Sequence, residues 1–433
     1  MRIAYITAGA AGMFCGSCMH DNTLVSSLIA AGHDAILIPT YTPPRTDEKD
    51  VSLNRVFFGG INVYLQQKIG LFRHTPSFLD RALDLRPLLR WAGRFATRTD
   101  ASQLGDLTVS TLQGERGHQH KEVRKLATWL ADHFQPQIVN LTNVLLSGLV
   151  REIKQRTRAP IVATLQGDDI FLEALPSADR QRSLELIRAN CADIDGFIAT
   201  SEYYADFMAD YLTLPRNRIH VVYPGLDLTG HASPQASEHS ERACGINPPV
   251  IGYFARICPE KGLHHLVDAF ILLCTKHTFP AALHASGWLG DNQLPYLDGL
   301  RQRLKDHGLE QDFRYIPAAN HPTKVAFLQG LHVLSVPTVY REPKGLYILE
   351  ALANAVPVVQ PHHGSFPELI QRTGGGLLVK PGDPEDLAQS LAALLKDHDQ
   401  RRELGRNGQK AVHDFFHAAR MAQETLAVYS NYL

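Results

Sequence analysis

Residues 337–368, PTVYREPKGLYILEALANAVPVVQPHHGSFPE, contain the most informative pattern in the sequence. Two carboxylates, Glu342 and Glu350, flank the pair Lys344-Gly345, where an apolar strand pattern gives way to a helical one. The N-terminus of a helix offers unpaired N–H groups and the positive end of its dipole to an anion such as phosphate. Carboxylates on either side can accept hydrogen bonds from hydroxyls. The stretch therefore predicts a ligand that carries phosphate and sugar together, as a nucleotide sugar does.

The helical spacing gives each glutamate its own place. Helical side chains lean toward the N-terminus, so Glu350, which shares a face with Leu346, points toward the phosphate end and a ribose. Glu342 precedes the helix and could meet a sugar ring beyond the phosphates. The buried face of the helix is predicted at Leu349, Leu352 and Val356. Taken alone, the two glutamates are better interpreted as a first-turn acid and an ordinary surface residue.

A second strand-to-helix turn supplies the positive charge that a diphosphate needs. The segment 252–262, GYFARICPEKG, places Arg256 and Lys261 after an apolar strand pattern. Arginine offers phosphate a forked donor, and lysine offers a compact charge. This charge matters because a departing diphosphate becomes more negative as the glycosidic bond breaks. The two cations therefore favour a diphosphate-sugar site over ordinary helix acids.

Short β-branched runs alternate with longer amphipathic stretches, which is typical of parallel sheets covered by helices. The predicted strands are Ile3–Thr7, Ala35–Pro39, Ile138–Leu141, Ile161–Leu165, Gly196–Thr200 and Ile219–Tyr223, then Val250–Phe254, Ala282–Ala285, Phe313–Ile316, Val333–Val336 and Val356–Gln360. A loop is predicted over Gly9–Ser17 and a helix over Asn22–Ala31. The pattern predicts an α/β protein with two Rossmann-like doubly wound domains facing a central cleft.

The length of 433 residues is too great for one ordinary core, so two domains are expected. The predicted parts are a first domain over 1–230 with an insertion at about 41–120, a linker over 230–241, a second domain over 242–415, and a last helix over Ala411–Leu433. The insertion interrupts the regular alternation, and long insertions in compact domains are often functional. We expect the segment 416–433 to pack back on the first domain.

Composition limits the class of partner. The formal net charge of -1 argues against nucleic acid or an anionic membrane as the main partner, although peripheral membrane contact stays open. No apolar run approaches the length of a membrane span, and the start of the chain favours a buried strand over a signal peptide. These features predict a cytoplasmic protein.

The six cysteines fit a reducing compartment better than a disulfide framework. The only closely spaced pair is Cys15 and Cys18, with His20 two residues later. A second pair that would complete a four-ligand metal site does not occur in the sequence. We therefore interpret the pair as small residues of a glycine-rich loop and predict no metal.

At this point the chain resembles the family 4 glycosyltransferases, which are retaining enzymes of the GT-B fold. The resemblance rests on the segments 252–262, 337–359 and 364–368, with Glu342 and Glu350 matching the E-x7-E motif. Two further matches are a proline-glycine-aspartate turn at Tyr223–Asp227 and a Ser-Glu segment at Ile198–Glu202. The resemblance extends over most of the chain.

The resemblance implies specific roles. The implied donor-binding residues are Gly16, Arg256, Lys261, Glu342, Gly345, Leu346 and Glu350, and the implied catalytic residues are Glu342, Arg256, Lys261 and Gln166. Arg256 and Lys261 would neutralise the donor diphosphate, while Glu342 would contact the transferred sugar. The backbone of Gly345 and Leu346 would hold a phosphate.

By the same resemblance, Glu350 would bind ribose hydroxyls, and Gly16 would make the closest approach of the glycine-rich loop to the donor. The second domain would bind the nucleotide sugar and the first a sugar-containing acceptor. The implied reaction is metal-independent and needs no cofactor, because the nucleoside-diphosphate sugar is a substrate. The donor's own phosphate would help to deprotonate the acceptor hydroxyl.

Gln166 is the main departure from the family pattern, which usually has histidine there, close to the transferred sugar. An amide can donate to a hydroxyl or accept from it, but it does not titrate near neutral pH. Asp168 is a candidate acceptor contact, as is Asp169, and a capping role for this loop carboxylate is about as plausible. Other departures are His332, Thr338 and His363, the last interpreted as a loop histidine.

The sequence leaves several alternative functions open. A nucleotide-sugar epimerase or a phosphorylase could use the same architecture, and Gln166 motivates a degenerate nucleotide-sugar-binding protein. A hydrolase pair is not expected, because Glu342 and Glu350 are assigned to hexose and ribose respectively. The sequence leaves GDP-mannose, UDP-glucose and UDP-N-acetylglucosamine as donors, and it does not identify the acceptor.

Overall fold

The structure, a computed structural model, describes residues 1–9, 15–58, 104–234, 248–318 and 320–433. It divides into two compact units, one formed by Met1–Tyr223 with Ala419–Leu433 and the other by Pro224–Ala418. Much of the predicted insertion and the later part of the predicted linker lie outside the described residues.

Six parallel strands form the sheet of the first unit. They are β1 (Arg2–Thr7), β2 (Asp34–Pro39), β3 (Ile138–Leu141), β4 (Ile161–Leu165), β5 (Gly196–Ala199) and β6 (Ile219–Val221). Their order in the sheet is β2-β1-β3-β4-β5-β6. Both faces are covered, so the interiors of the strands are largely apolar. In β1, Ala4 and Ile6 pack in one core, and Ile3 and Tyr5 pack in the other.

The helices of the first unit, apart from the C-terminal one, surround this sheet. They are α1 (Gly16–Ala30), α2 (Gly105–Leu112), α3 (His120–Trp129), α4 (Val150–Thr157), α5 (Asp168–Glu173), α6 (Ser177–Cys191) and α7 (Glu202–Leu212). The predicted start of the first helix at Asn22 is wrong, since extended backbone ends at Cys15 and Gly16 is already helical. Residues 10–14 of the predicted loop Gly9–Ser17 are outside the described residues.

The second unit repeats the design. Its strands are β7 (Val250–Phe254), β8 (Ala282–Ser286), β9 (Phe313–Tyr315), β10 (Val333–Leu334), β11 (Val358–Pro361) and β12 (Gly376–Val379). Their order is β12-β11-β10-β7-β8-β9, and all pairs are parallel. The sequence analysis missed β12, because its apolar run is short and follows a run of glycines.

The helices of the second unit are α8 (Leu263–Thr275), α9 (Leu294–Asp306), α10 (His321–Gln329), α11 (Leu346–Leu352), α12 (Phe366–Thr373), α13 (Pro384–Lys396) and α14 (His398–Phe415). Leu349, Leu352 and Val356 are buried, as the helical spacing predicts. The α/β class, with two doubly wound parallel sheets, is confirmed.

The strand order locates the place where each sheet can bind a ligand. In the first unit the chain moves from β1 to β2 on one side and returns to β3 on the other. In the second unit the corresponding reversal lies between β7 and β10. Ligands of doubly wound folds bind beyond the carboxyl ends of the strands at this reversal. Functional groups are therefore expected in the loops that follow these strands.

The predicted last helix is divided in two. After α14 ends at Phe415, two residues follow before α15 (Ala418–Ser430) begins. In this connection, the Leu226 N–H donates to the Phe416 carbonyl at 2.9 Å. In the first unit, α15 packs against β1, and the Tyr429 hydroxyl donates to Asn140 Oδ1 at 3.1 Å.

Candidate active site

Two loops of the second unit interlock beside the β7–β10 reversal. One follows β7 and ends at Gly262, and the other follows β10 and ends at Gly345. Gly262 has a positive φ of 75°, and a side chain there would clash with the Pro337 carbonyl. The Val339 N–H donates to the Glu260 carbonyl at 3.0 Å. The close approach, which glycine permits, brings together functional groups that are far apart in sequence.

Glu342 and Lys261 form a buried ion pair at this junction. Lys261 Nζ lies 2.7 Å from Glu342 Oε2, and Glu342 is only 4% exposed. The hydroxyls of Tyr340 and Tyr347 donate to the same oxygen at 3.0 and 3.2 Å. The Gly345 N–H, expected to hold a phosphate, donates to Glu342 Oε1 at 3.4 Å. Lys261, Glu342 and Gly345 were predicted for one site from the sequence, whereas the ion pair and the two tyrosines were not predicted.

The pair keeps Glu342 ionised. Burial acts to raise the pKa of the carboxyl, but the charge and hydrogen bond of Lys261, the Tyr340 hydroxyl and the charge of Lys344 together lower it to about 2. Lys261 Nζ also lies 4.9 and 5.1 Å from the ring centres of Tyr340 and Tyr347, at cation–π distance. The carboxylate is therefore a fixed hydrogen-bond acceptor at any physiological pH, and an ammonium is held beside it.

Arg256 acts on the same group of side chains. Desolvation raises the pKa of the Tyr340 hydroxyl well above its usual range, the charge of Glu342 adds to the rise, and Arg256 opposes it. The Tyr253 hydroxyl donates to the Arg256 carbonyl at 3.0 Å, which fixes the start of the loop. The cations Arg256, Lys261 and Lys344 thus act on one small region that contains Glu342.

A third loop, after β11, holds the backbone of Glu342. Gly364 has a φ of 60°, and a side chain there would come within 2.6 Å of the backbone N and O of Glu342. The Ser365 N–H donates to the Glu342 carbonyl at 2.8 Å. His363 Nε2 lies 3.0 Å from the Thr338 carbonyl, and burial lowers the pKa of His363, which favours the neutral ring. His363 therefore has a structural contact in this loop.

Glu350 has a cation of its own. Lys324 Nζ, on α10, lies 2.8 Å from Glu350 Oε1, on α11, and each residue is 4% exposed. The Asn354 side chain donates to the Glu350 carbonyl at 2.9 Å. The sequence analysis missed Lys324. The sequence did contain one indication of a buried lysine. Lys324 stands beside the apolar residues of α10, at a position where a solvated charge is not expected.

Gln166, in the first unit, belongs to a buried polar network. Its Nε2 donates to Asp21 Oδ1 at 3.0 Å and to the carbonyl and hydroxyl oxygens of Thr142 at 2.9 and 3.0 Å. Asp21 is fully buried and also accepts from Tyr5 at 2.8 Å, Thr7 at 2.9 Å and Thr142 at 2.6 Å. Asp21 was not predicted, because the sequence pattern placed the start of the helix at Asn22 and so left this carboxylate outside it.

Asp168 bonds to backbone on both carboxylate oxygens. Oδ1 accepts from the Val144 N–H at 2.7 Å, and Oδ2 accepts from the Gln166 N–H at 3.0 Å. Burial raises the pKa of Asp168 to about 6, although these two hydrogen bonds oppose the rise. The neighbouring Asp169 accepts from the Tyr204 hydroxyl at 2.6 Å. Both aspartates therefore have structural partners in this structure.

The structure describes only the two ends of the glycine-rich loop. Gly16 is the first residue of α1, and residues 10–14 are outside the description. Among the described residues, no group of three or more His, Cys, Asp or Glu side chains is placed to hold a metal ion. None of the described helices is both long and apolar enough to cross a membrane.

Two family descriptions match the chain. "Glycosyl transferases group 1" matches residues 237–411, and "Glycosyltransferase Family 4" matches residues 105–229. The first match lies in the second unit and contains Arg256, Lys261, Glu342 and Glu350. The other lies almost wholly in the first unit. Together they cover more than two thirds of the chain.

Curated relatives are similar over part of their length. The chain is 29% identical over 254 residues to the D-inositol 3-phosphate glycosyltransferase of Corynebacterium glutamicum (strain R), covering 57% of this chain and 60% of the relative. It is 28% identical over 258 residues to the alpha-maltose-1-phosphate synthase of Mycolicibacterium smegmatis, covering 54% and 62%. The alignments thus span about three fifths of these relatives.

Solved structures are similar over the whole chain. A sucrose-phosphate synthase from Thermosynechococcus elongatus superposes with a TM-score of 0.73 at 18% identity, covering 100% of this chain and 99% of that one. The Anabaena protein HepE, solved in complex with UDP, gives a TM-score of 0.69 at 17% identity, with full coverage of both chains. At such low identities the similarity shows a shared fold.

Proposed function

This chain belongs to the family 4 glycosyltransferases and has their GT-B fold, and we propose that it transfers a hexosyl unit from a nucleoside-diphosphate sugar to a hydroxyl acceptor with retention of configuration. The observation that supports this most is the buried Lys261–Glu342 pair at the β7–β10 reversal, with Arg256 and Lys344 acting on the same region. A fixed carboxylate beside several cations suits a ligand that has sugar hydroxyls and a diphosphate together.

Each residue has a distinct part in this proposal. Arg256 and Lys261 contact the diphosphate, assisted by the backbone of Gly345 and Leu346. Glu342 accepts hydrogen bonds from the transferred hexose. Lys261 is suited to bridge these two groups, because its ammonium can donate to the carboxylate and to a phosphate oxygen at once. The same cations supply the charge stabilisation for which other transferases use a metal ion.

Ribose recognition falls to Glu350 in the same proposal. Its carboxylate lies on α11, the helix whose N-cap is Gly345, and is therefore close to the phosphate-binding end of the site. An ionised carboxylate has acceptor positions for two neighbouring hydroxyls. The nucleoside end and the hexose end are thus assigned to different carboxylates.

The reaction proceeds on one face of the sugar. The bond between the anomeric carbon and the diphosphate oxygen breaks, the acceptor oxygen bonds to that carbon, and the acceptor proton passes to the departing diphosphate. Neither glutamate serves as a nucleophile, since Glu342 is held by Lys261 and two tyrosines, and Glu350 is held by Lys324. Arg256 and Lys261 stabilise the charge that develops on the leaving oxygen.

The acceptor is proposed only as a class, the phosphorylated hexoses and cyclitols. Two curated relatives are named for an inositol phosphate and a maltose phosphate, and a structural neighbour for a sucrose phosphate. Gln166 and Asp168 are the first-unit residues assigned to the acceptor side. Gln166 would act there by orienting Asp21 and Thr142, to which its Nε2 already donates.

The test combines donors and acceptors. Purified protein is incubated with UDP-glucose, UDP-N-acetylglucosamine or GDP-mannose, with and without a panel of phosphorylated hexoses and cyclitols. We expect one donor to release its diphosphate only when an acceptor is present, and the product to keep the donor's anomeric configuration by NMR. Acceptor-independent isomerisation would indicate an epimerase instead. Binding of a donor with no turnover on any acceptor would favour a binding protein.

A further inference from the structure

Lys324 occupies a position at which a lysine is costly. It lies on α10, 4% exposed, and the adjacent Val325 and the later Leu328 are buried. The helix begins with a reciprocal cap, in which the Thr323 N–H donates to Asn320 Oδ1 at 3.0 Å and the Asn320 N–H donates to Thr323 Oγ1 at 3.2 Å. Lysine is rarely buried without a partner, and here its partner is Glu350.

The pair solves a problem for Glu350. A carboxylate that leaves water loses its hydration, which is unfavourable unless another group replaces those interactions. The Lys324 ammonium, 2.8 Å from Oε1, offsets this loss and fixes the side chain from one side. The hydrogen bond from Asn354 to the Glu350 carbonyl fixes the backbone at the same residue.

Lys324 leaves acceptor capacity on the carboxylate. A carboxylate has about four lone-pair positions, and the hydrogen bond from Lys324 to Oε1 occupies one of them. Two neighbouring hydroxyls of a ribose could therefore still donate to the remaining positions on Glu350. His231 is not a second cation for Glu350, because burial and then the charge of Lys324 lower the pKa of His231 to about 3 and keep its ring neutral.

We propose that Lys324 is the positioning residue that holds Glu350 as a fixed acceptor for the 2′- and 3′-hydroxyls of the nucleotide, and so sets a preference for ribonucleotides over 2′-deoxyribonucleotides. This inference rests on the proposed function and deepens it. It predicts that ribose selectivity depends on a residue that does not touch the ribose.

The experiment measures a ratio of affinities. UDP, 2′-deoxy-UDP, GDP and 2′-deoxy-GDP are titrated by calorimetry into the wild type, Lys324→Met, Lys324→Arg and Glu350→Gln. The wild type should bind its preferred ribonucleotide about 10- to 100-fold more tightly than the deoxy form, as expected for a hydrogen bond to a charged group. Lys324→Met and Glu350→Gln should reduce this ratio to within about 3-fold of unity, and Lys324→Arg should largely keep it.

Controls separate the inference from general damage. Lys380→Met replaces a lysine of the same unit whose side chain is 77% exposed, and it should keep the full ratio. If Lys324→Met does not fold, Lys324→Gln, which removes the charge but keeps a polar side chain, replaces it with the same expected loss of the ratio. A ratio unchanged in the folded Lys324 variant would overturn the inference alone. Failure of the wild type to bind any of the four nucleotides would overturn the proposed function and the inference with it.

Discussion

Asp21 in the first unit and Glu342 in the second are buried carboxylates in equivalent places, each beside the carboxyl ends of parallel strands at the reversal of a doubly wound sheet. Glu342 accepts from an ammonium and two phenols. Asp21 accepts from hydroxyls and an amide, with the His20 ring nitrogen 3.4 Å away. The second unit thus concentrates cations at its reversal, whereas the described part of the first concentrates neutral hydrogen-bonding groups.

This difference in charge matches the two substrates of a sugar transfer. A diphosphate needs cations, whereas the hydroxyl through which an acceptor reacts needs neutral donors and acceptors. The fold supplies the same place twice, and the side chains give each place its own chemistry. Variants that alter either the first-unit site, the neutral half, or the second-unit site, the cationic half, can contradict the acceptor assignment and the donor assignment separately.

The largest effect is expected from separating Lys261 and Glu342. Lys261→Ala and Glu342→Ala should each lower turnover by about a thousandfold or more, because a charged group that stabilises the transition state is lost. Steady-state kinetics with the identified donor measure this loss. Gln166→Met, in the neutral half, should lose much less turnover. Wild-type rates in either second-unit variant would remove the pair from the mechanism.

Stability measurements show whether those losses arise from unfolding. Lys261→Ala leaves a buried carboxylate without its ammonium and should destabilise the protein by about 3–5 kcal/mol. The double variant Lys261→Met/Glu342→Gln removes both charges and should recover most of that stability without recovering activity. Recovery of activity together with stability would mean that the pair is structural only.

The next effect concerns the neutral half. Gln166→Glu places a second carboxyl about where Gln166 Nε2 now donates to Asp21, 3.0 Å away. At pH 8 this variant should be destabilised by about 3 kcal/mol or more in urea unfolding, since two buried carboxylates repel. Gln166→Met, the matched control, should lose less, and the gap should narrow as the pH falls and the new carboxyl is protonated.

The two halves should also respond to pH in opposite directions. Glu342 has its pKa lowered from 4.5 to about 2, so its contribution to stability is present above pH 4.5 and is lost as the pH falls toward 2. Asp168 has its pKa raised from 3.8 to about 6, so its contribution is full below pH 3.8 and is lost as the pH rises through 6. Each contribution is on the order of 3 kcal/mol.

Melting temperatures of three proteins between pH 3 and 8 would measure these opposing contributions. Glu342→Gln should flatten the rise in stability at the acid end relative to the wild type. Asp168→Asn should flatten the fall between about pH 4 and 6. Parallel curves for wild type and Asp168→Asn would contradict the assignment of that titration.

The sequence was most informative where structure depends on neighbours along the chain. The bounds of β3, β4 and β7 were predicted correctly, because these strands are buried on both faces and form continuous apolar runs. The start of α1 was missed because its first turn has no side-chain cap and no acidic residue. The strand β12 was missed because glycines obscure its start.

For the site, the residues of the second unit could be named from their motifs, but their partners could not. Lys324 and Glu350 lie on different helices, and no spacing rule connects them. Asp21 meets Thr142 and Gln166 only because β3 and β4 lie next to one another in the sheet beside β1. Sheet order decides these pairs, and a single sequence specifies sheet order only through the whole fold.

The smallest effect compares one hydroxyl in each half. Tyr340→Phe removes a donor 3.0 Å from Glu342, and Tyr5→Phe removes a donor 2.8 Å from Asp21. Glu342 keeps the ammonium of Lys261, so its loss should be about 1 kcal/mol, whereas Asp21 depends on such hydroxyls and should lose about 2 kcal/mol. Urea unfolding of both variants at pH 7 measures the difference. Equal losses would mean that the cation does not protect Glu342, and the electrostatic contrast between the two halves would then have no energetic consequence.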